Sequence, residues 1–133
     1  MKEKLTTILK SYKAFLEGQG GERADLSGMD LRGADLREVN LSKANLRGTI
    51  LTDAELQGAS LVQADLTGAR LKGADLRGAK LCYVQLRGAD LTSANLERAV
   101  LLEADLRSAV LSAAILNSAN SVSYTHLTLP TKA

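Results

Sequence analysis

At 133 residues, 45% hydrophobic, with one Phe, no Trp and a formal net charge of +2, the chain has the length of one small domain and too few rings to anchor a globular core on aromatic packing. No run of about eighteen apolar residues occurs, so no transmembrane helix is expected, and no signal-peptide apolar segment is recognised near the N-terminus. A single cysteine, Cys82, excludes an internal disulfide and suits a reducing, cytoplasmic compartment.

Residues 2–17 read as one amphipathic helix. Leu5, Ile8, Leu9, Tyr12, Phe15 and Leu16 share one face of a 3.6-residue period, with Lys2, Lys4, Lys10 and Lys13 on or near the other side. Gly18, Gly20 and Gly21 end it.

From Leu26 to Leu116 a leucine stands at every fifth residue, nineteen in all. On a helix, residues five apart scatter around the circumference; on a straight strand they alternate faces. The pattern needs a chain that turns once in every repeat. The residue two before each Leu is Ala in fifteen of the nineteen repeats, with Met29, Val39, Thr49 and Val84 as exceptions, and residues two apart share one face of a strand. The second residue after Leu is Gly in eight repeats, Gly28, Gly33, Gly48, Gly58, Gly68, Gly73, Gly78 and Gly88, as a tight corner favours. Short strand, corner, short strand winds into a solenoid with Leu and Ala inside.

The units Ala24-Asp25-Leu26-Ser27-Gly28, Ala34-Asp35-Leu36-Arg37-Glu38 and Ala74-Asp75-Leu76-Arg77-Gly78 resemble the A-(D/N)-L-x-x unit of pentapeptide repeat proteins, over residues 24–120. The resemblance implies an all-β fold, a right-handed quadrilateral parallel β-helix with four repeats per coil. It also implies that Leu and the preceding Ala or Val point inward and the other three positions outward. Nineteen repeats then make nearly five coils. An open solenoid end exposes core leucines and strand edges, so the N-terminal helix is expected to cap the first coil. The stretch Gly20-Gly21-Glu22-Arg23 resembles the helix-to-coil junction of bacterial members of the family.

At the other end, Ser121 stands where a leucine is due, and residues 122–133 resemble the one-frame translation of a transposase sequencing adapter. The expected organisation is therefore a capping helix and junction at 1–23, a β-helix at 24–121 and a non-native tail at 122–133.

Little points to catalysis. Cys82 has no histidine partner outside that tail, and the glycines recur by fives rather than in a phosphate-loop pattern. With four repeats per coil, Asp25, Asn45, Asp65, Gln85 and Asp105 stack in one outward column, and Asp35, Glu55 and Asp75 in another. These carboxylates are read as solvated or paired with Arg37 and Arg77, not as metal ligands. Asp75, outward, is expected to matter little to the fold, whereas Leu76→Asp should unfold it. Residues 24–120 hold eleven Lys or Arg against twelve Asp or Glu, so no face carries a single sign.

One surface feature stands apart. Val62, Cys82 and Leu102 fall in a single outward column, with Tyr83 and Val100 beside it, as a candidate interaction face. The expected function is a non-enzymatic binding or scaffold module, a rigid rod that docks a protein partner or a second copy of itself. No cofactor, no metal, no small-molecule substrate and no nucleic acid is expected. The alternative comes through the resemblance: some family members mimic duplex DNA and bind type II topoisomerases, protecting them from quinolones. Arg32, Arg37, Arg47, Arg77 and Arg87, interleaved with the acids, and the lack of loop insertions count against it.

Overall fold

The computed structural model describes residues 2–18, 20, 21, 23–117 and 119. The residue before each leucine pairs in parallel with the residue twenty further on: Asp25 with Asn45, Asp30 with Ile50, Asp35 with Glu55, Asn40 with Ser60, and so up to Asn95 with Ile115. A register of twenty means that four repeats close one coil. The sheet consists of isolated bridges rather than long ladders, because a corner follows every paired residue. The first side of the coil carries Leu26 and its stacked equivalents, the second Leu31, the third Leu36, and the fourth Leu41, Leu61, Leu81 and Leu101.

The interior is the leucine–alanine stack that the period demands. Every repeat leucine from Leu26 to Leu111 is buried, with Ala44, Ala54, Ala59 and their equivalents between them, and Leu116 is half-buried. Among the described residues the bore admits one polar residue: Thr49 is fully buried, and its hydroxyl donates to the Leu26 carbonyl at 2.8 Å. That bond removes the penalty of burying a lone hydroxyl.

Hydrogen bonding follows one rule around the coil. In the repeat 64–68, the Asp65 N–H donates to the Ala44 carbonyl of the preceding coil at 3.0 Å. Leu66 N–H donates to Gln85 of the next coil at 2.7 Å, and Gly68 N–H to Arg87 at 2.9 Å. The Ala69 N–H closes the corner onto the Leu66 carbonyl at 3.0 Å. Four of the five amides thus bond to backbone; only that of Thr67, the residue after Leu, is left over. The corner bond with positive φ at its third residue but not its second is the type II turn signature. All eighteen such positions from Gly28 to Ala113 have φ between 57° and 69°, ten of them without glycine. Tyr83, at φ 58°, is the bulkiest residue held there.

Helix α1 (Lys2–Leu16) lies across the open end of the first coil. Tyr12 is 1% exposed, and Leu5, Ile8 and Leu9 pack against the core. The junction is fixed by contact. A Cβ on Gly21, at φ 79°, would strike the Ser11 carbonyl, and Arg23 Nε donates to the Lys43 carbonyl. The sequence placed Phe15 and Leu16 on the same inward face and extended the helix to residue 17. The helix stops at Leu16 and both side chains stay exposed, because the last turn projects past the narrow coil. Ser121 and the expected tail 122–133 lie outside the described residues. Among the described residues no helix is long and apolar enough to cross a membrane.

Two outcomes test this packing. The Tyr12 hydroxyl is buried without a hydrogen-bond partner among the described residues, and burial pushes its pKa up against the opposing pull of Arg23. Tyr12→Phe should therefore raise the thermal midpoint, by the equivalent of about 1 kcal/mol. The corners predict a pair of opposite shifts. Gly78→Ala, which meets no neighbour but must hold φ 67°, should destabilise by about 1 kcal/mol, while Tyr83→Gly should stabilise by a similar amount. Equal melts for the two corner variants would refute the left-handed assignment.

Candidate interaction surface

The leftover amide explains the Asp or Asn that precedes ten of the leucines. At every Asp or Asn in that position, ten in number, the side-chain oxygen accepts from the N–H two residues on, at 3.0 to 3.2 Å. This is an Asx turn, and it completes the bonding of the repeat. Several arginines then close onto the same carboxylate: Arg32 on Asp30, Arg37 on Asp35, Arg77 on Asp75 and Arg107 on Asp105, at 2.6 to 2.8 Å. Arg47 instead reaches Asp65 on the next coil at 3.0 Å. Among the described residues no group of three Asp, Glu, His or Cys side chains is arranged to hold a metal ion.

The bonds depress the carboxyl pKa values. Asp35 falls from 3.8 to about 2, held first by the Arg37 side chain and then by the Arg37 amide. Asp25 is lowered by Ser27, Asp90 by Thr92, and Asp75 and Asp105 by Arg77 and Arg107. For Asp65, desolvation raises the value, and the bonds from Thr67 and Arg47 together outweigh it.

The rule lapses where the residue before leucine is neither Asp nor Asn, as at Ile50, Arg70 and Val110 on the second side, and again on the fourth side. Its residues before leucine are Asn40, Ser60, Lys80 and Val100, with no carboxylate among them, and only Asn40 makes the Asx bond, to Ser42 at 3.0 Å. The amides of Val62, Cys82 and Leu102 have no acceptor among the described residues, although their carbonyls accept from Lys43, Gln63 and Tyr83 at 2.9 Å. Those bonds place Val62, Cys82 and Leu102 in one column, each half-buried, with Val100 paired to Lys80 alongside. Tyr83 stands next to the column and is 59% exposed. It lines a shallow groove of about 420 Å³ with Phe15, Arg23, Lys43, Gln63 and Gln85. The five residues singled out from sequence thus lie together on one side. The uncapped amides and the groove reaching Phe15 were not read from sequence; the absence of Asp or Asn at positions 60, 80 and 100 was the available signal.

The sequence profile for pentapeptide repeats matches this chain in eight copies over residues 22–53, 51–82 and 85–120. The chain belongs to the pentapeptide repeat family. Among solved structures, it is similar to a pentapeptide repeat protein of the Arabidopsis thaliana thylakoid lumen: 40% identity, TM-score 0.63, covering 64% of this chain and 59% of that one. The chain therefore spans less than two-thirds of that relative's length. It is also similar to HetL, a pentapeptide repeat protein involved in heterocyst differentiation regulation in the cyanobacterium Nostoc, with 30% identity, TM-score 0.39 and coverage of 80% and 73%. A second Nostoc pentapeptide repeat protein matches with 30% identity, TM-score 0.46 and coverage of 87% and 93%. No curated protein matches the chain.

In this pentapeptide repeat rod the outward aspartates are structural, which corrects the expectation that Asp75 matters little. Asp75→Ala should cost about 1 kcal/mol, and Asp75→Asn, which keeps the turn acceptor, should recover most of it. The pH dependence has a definite sign. Folded carboxyl values lie below the unfolded one of 3.8, so their stabilisation is present above about pH 4 and lost as pH falls through the folded values, about 2 for Asp35. Thermal midpoints should fall steadily between pH 4 and pH 2; a flat profile there would refute the bonded carboxylates.

Proposed function

We infer that this pentapeptide repeat chain is a non-enzymatic docking module whose fourth side receives a protein partner. The observation that carries the reading is the column Val62, Cys82 and Leu102, with Val100 and Tyr83 beside it, on a side with no carboxylate before its leucines. Scattered surface hydrophobes carry no meaning, but an aligned strip on a rigid scaffold suits recognition. Tyr83 adds support. It presents an exposed ring beside the column, at a corner that glycine fills in eight other repeats. The rival reading, DNA mimicry toward a topoisomerase, needs columns of free negative charge. Here Asp30, Asp35, Asp75 and Asp105 are each neutralised by an arginine of the same repeat.

Peptide display against the rod tests the reading. Recovered binders should lose affinity for Val62→Lys with Leu102→Lys, and for Tyr83→Gly, even though the latter is stabilising. They should keep affinity for Thr52→Lys with Ser112→Lys on the second side. Circular dichroism should be unchanged throughout. Binders that are lost equally from both double variants, or that map to the second side, would overturn it.

A further inference from the structure

The fourth side also specifies the chemistry of what it would bind, on the assumption that it is the docking face. Three features converge there. First, the Val62, Cys82 and Leu102 amides have no acceptor among the described residues, as is also so of Thr52, Lys72 and Ser112 on the second side, and they stack about 4.8 Å apart as neighbouring strands do. Their geometry is that of Ser42 in the same column, whose N–H is met by the Asn40 side chain. Second, Lys43 and Lys80 flank the column without an ion pair among the described residues, whereas Arg32, Arg37, Arg47, Arg77 and Arg107 on the other sides are engaged with aspartates. The acids near this side, Glu38 and Glu103, sit at its two ends on corners. Third, the side chains of the column, Val62, Cys82 and Leu102, are apolar.

We propose that the fourth side takes an extended peptide segment bearing both carboxylate and aliphatic side chains, its carboxylates supplying in trans the acceptors that Asp and Asn supply within the chain at ten of the repeats. An ionised acceptor on a backbone donor gives a stronger bond than a neutral one, and Lys43 and Lys80 complement its charge. The aliphatic side chains cover Val62, Cys82 and Leu102, and Tyr83 closes one edge. A basic or purely polar segment would leave the donors unmet or the column bare.

The test uses the full chain and a fluorescein-labelled peptide of alternating Asp and Leu, followed by fluorescence anisotropy. Comparison probes alternate Lys with Leu and Asp with Ser; a single-stranded oligothymidylate and sedimentation of the protein alone complete the set. The Asp–Leu peptide should bind at least about tenfold tighter than either other peptide and weaken with salt. Ser60→Asn with Lys80→Asn would install the missing Asx acceptors for Val62 and Cys82. This variant should melt no lower than the wild type and bind the Asp–Leu peptide several-fold more weakly. Lys80→Gln, which removes the charge without capping the amide, should lose less.

If the Lys–Leu and Asp–Leu peptides bind alike, the docking face stands and its preference for acids is wrong. If no peptide binds, both readings fall. Binding of the oligothymidylate that the double Asn variant weakens, with none of the Asp–Leu peptide, would make the acceptors phosphates and overturn the peptide proposal. So would a self-associated rod that the peptide cannot dissociate.

Discussion

The backbone bond between one coil and the next, at a register of twenty residues, is the constraint on which everything else rests. It uses three amides of each repeat, the corner takes a fourth, and the fifth is left facing outward. Since an unmet polar group near a low-dielectric core is costly, the sequence must answer that fifth amide repeatedly. The Asp or Asn before leucine is the answer. The five-residue unit therefore has two halves: Leu and Ala fill the bore throughout, and in ten repeats an Asp or Asn completes the backbone. The corner position tolerates Glu38, Lys43, Tyr83 and Ser93 as well as glycine, because the inter-coil bonds hold φ positive whichever residue stands there.

The inward half was legible from spacing alone, because nothing but a turn in each repeat keeps leucines five apart on one side. The number of repeats per coil was not; a period of five says that the chain turns, not how sharply, and four per coil entered through resemblance to the family. The capping role of Asp25, Asp65 or Asp105 was missed because an outward carboxylate next to arginines reads naturally as solvated or ion-paired. It is both, but the bond to the amide two residues on is the one that recurs at Ser27 and Thr67 where no arginine of the same repeat follows. The helix was legible in its register and not in its reach. Its apolar face continues to Phe15 and Leu16, while the coil beneath is wide enough to cover only the part around Tyr12.

The functional reading follows from where the rule lapses. On the first and third sides Asp35, Asp75 and Asp105 bind their own backbone and then arginine; the second side lapses at Ile50, Arg70 and Val110 but presents the polar Thr52, Lys72 and Ser112 there. The fourth side gives up those caps at Ser60, Lys80 and Val100 and carries aliphatic groups beside the open amides. A side that forgoes internal hydrogen bonds is less stable by itself and better prepared to bond outward, the trade between stability and function that strained or unsatisfied positions record.

Amide hydrogen exchange followed residue by residue in the middle coils tests the bonding rule most directly. Four-repeat coils predict slow exchange at Asp65, Leu66, Gly68 and Ala69, which bond to backbone, and faster exchange at Thr67, which bonds only to the Asp65 side chain. The fastest exchange should occur at Lys72 and Cys82, whose amides follow Arg70 and Lys80 and have no acceptor among the described residues. Lys72 and Cys82 amides as protected as those of Leu71 and Leu81 would contradict the register and, with it, the open donors of the fourth side.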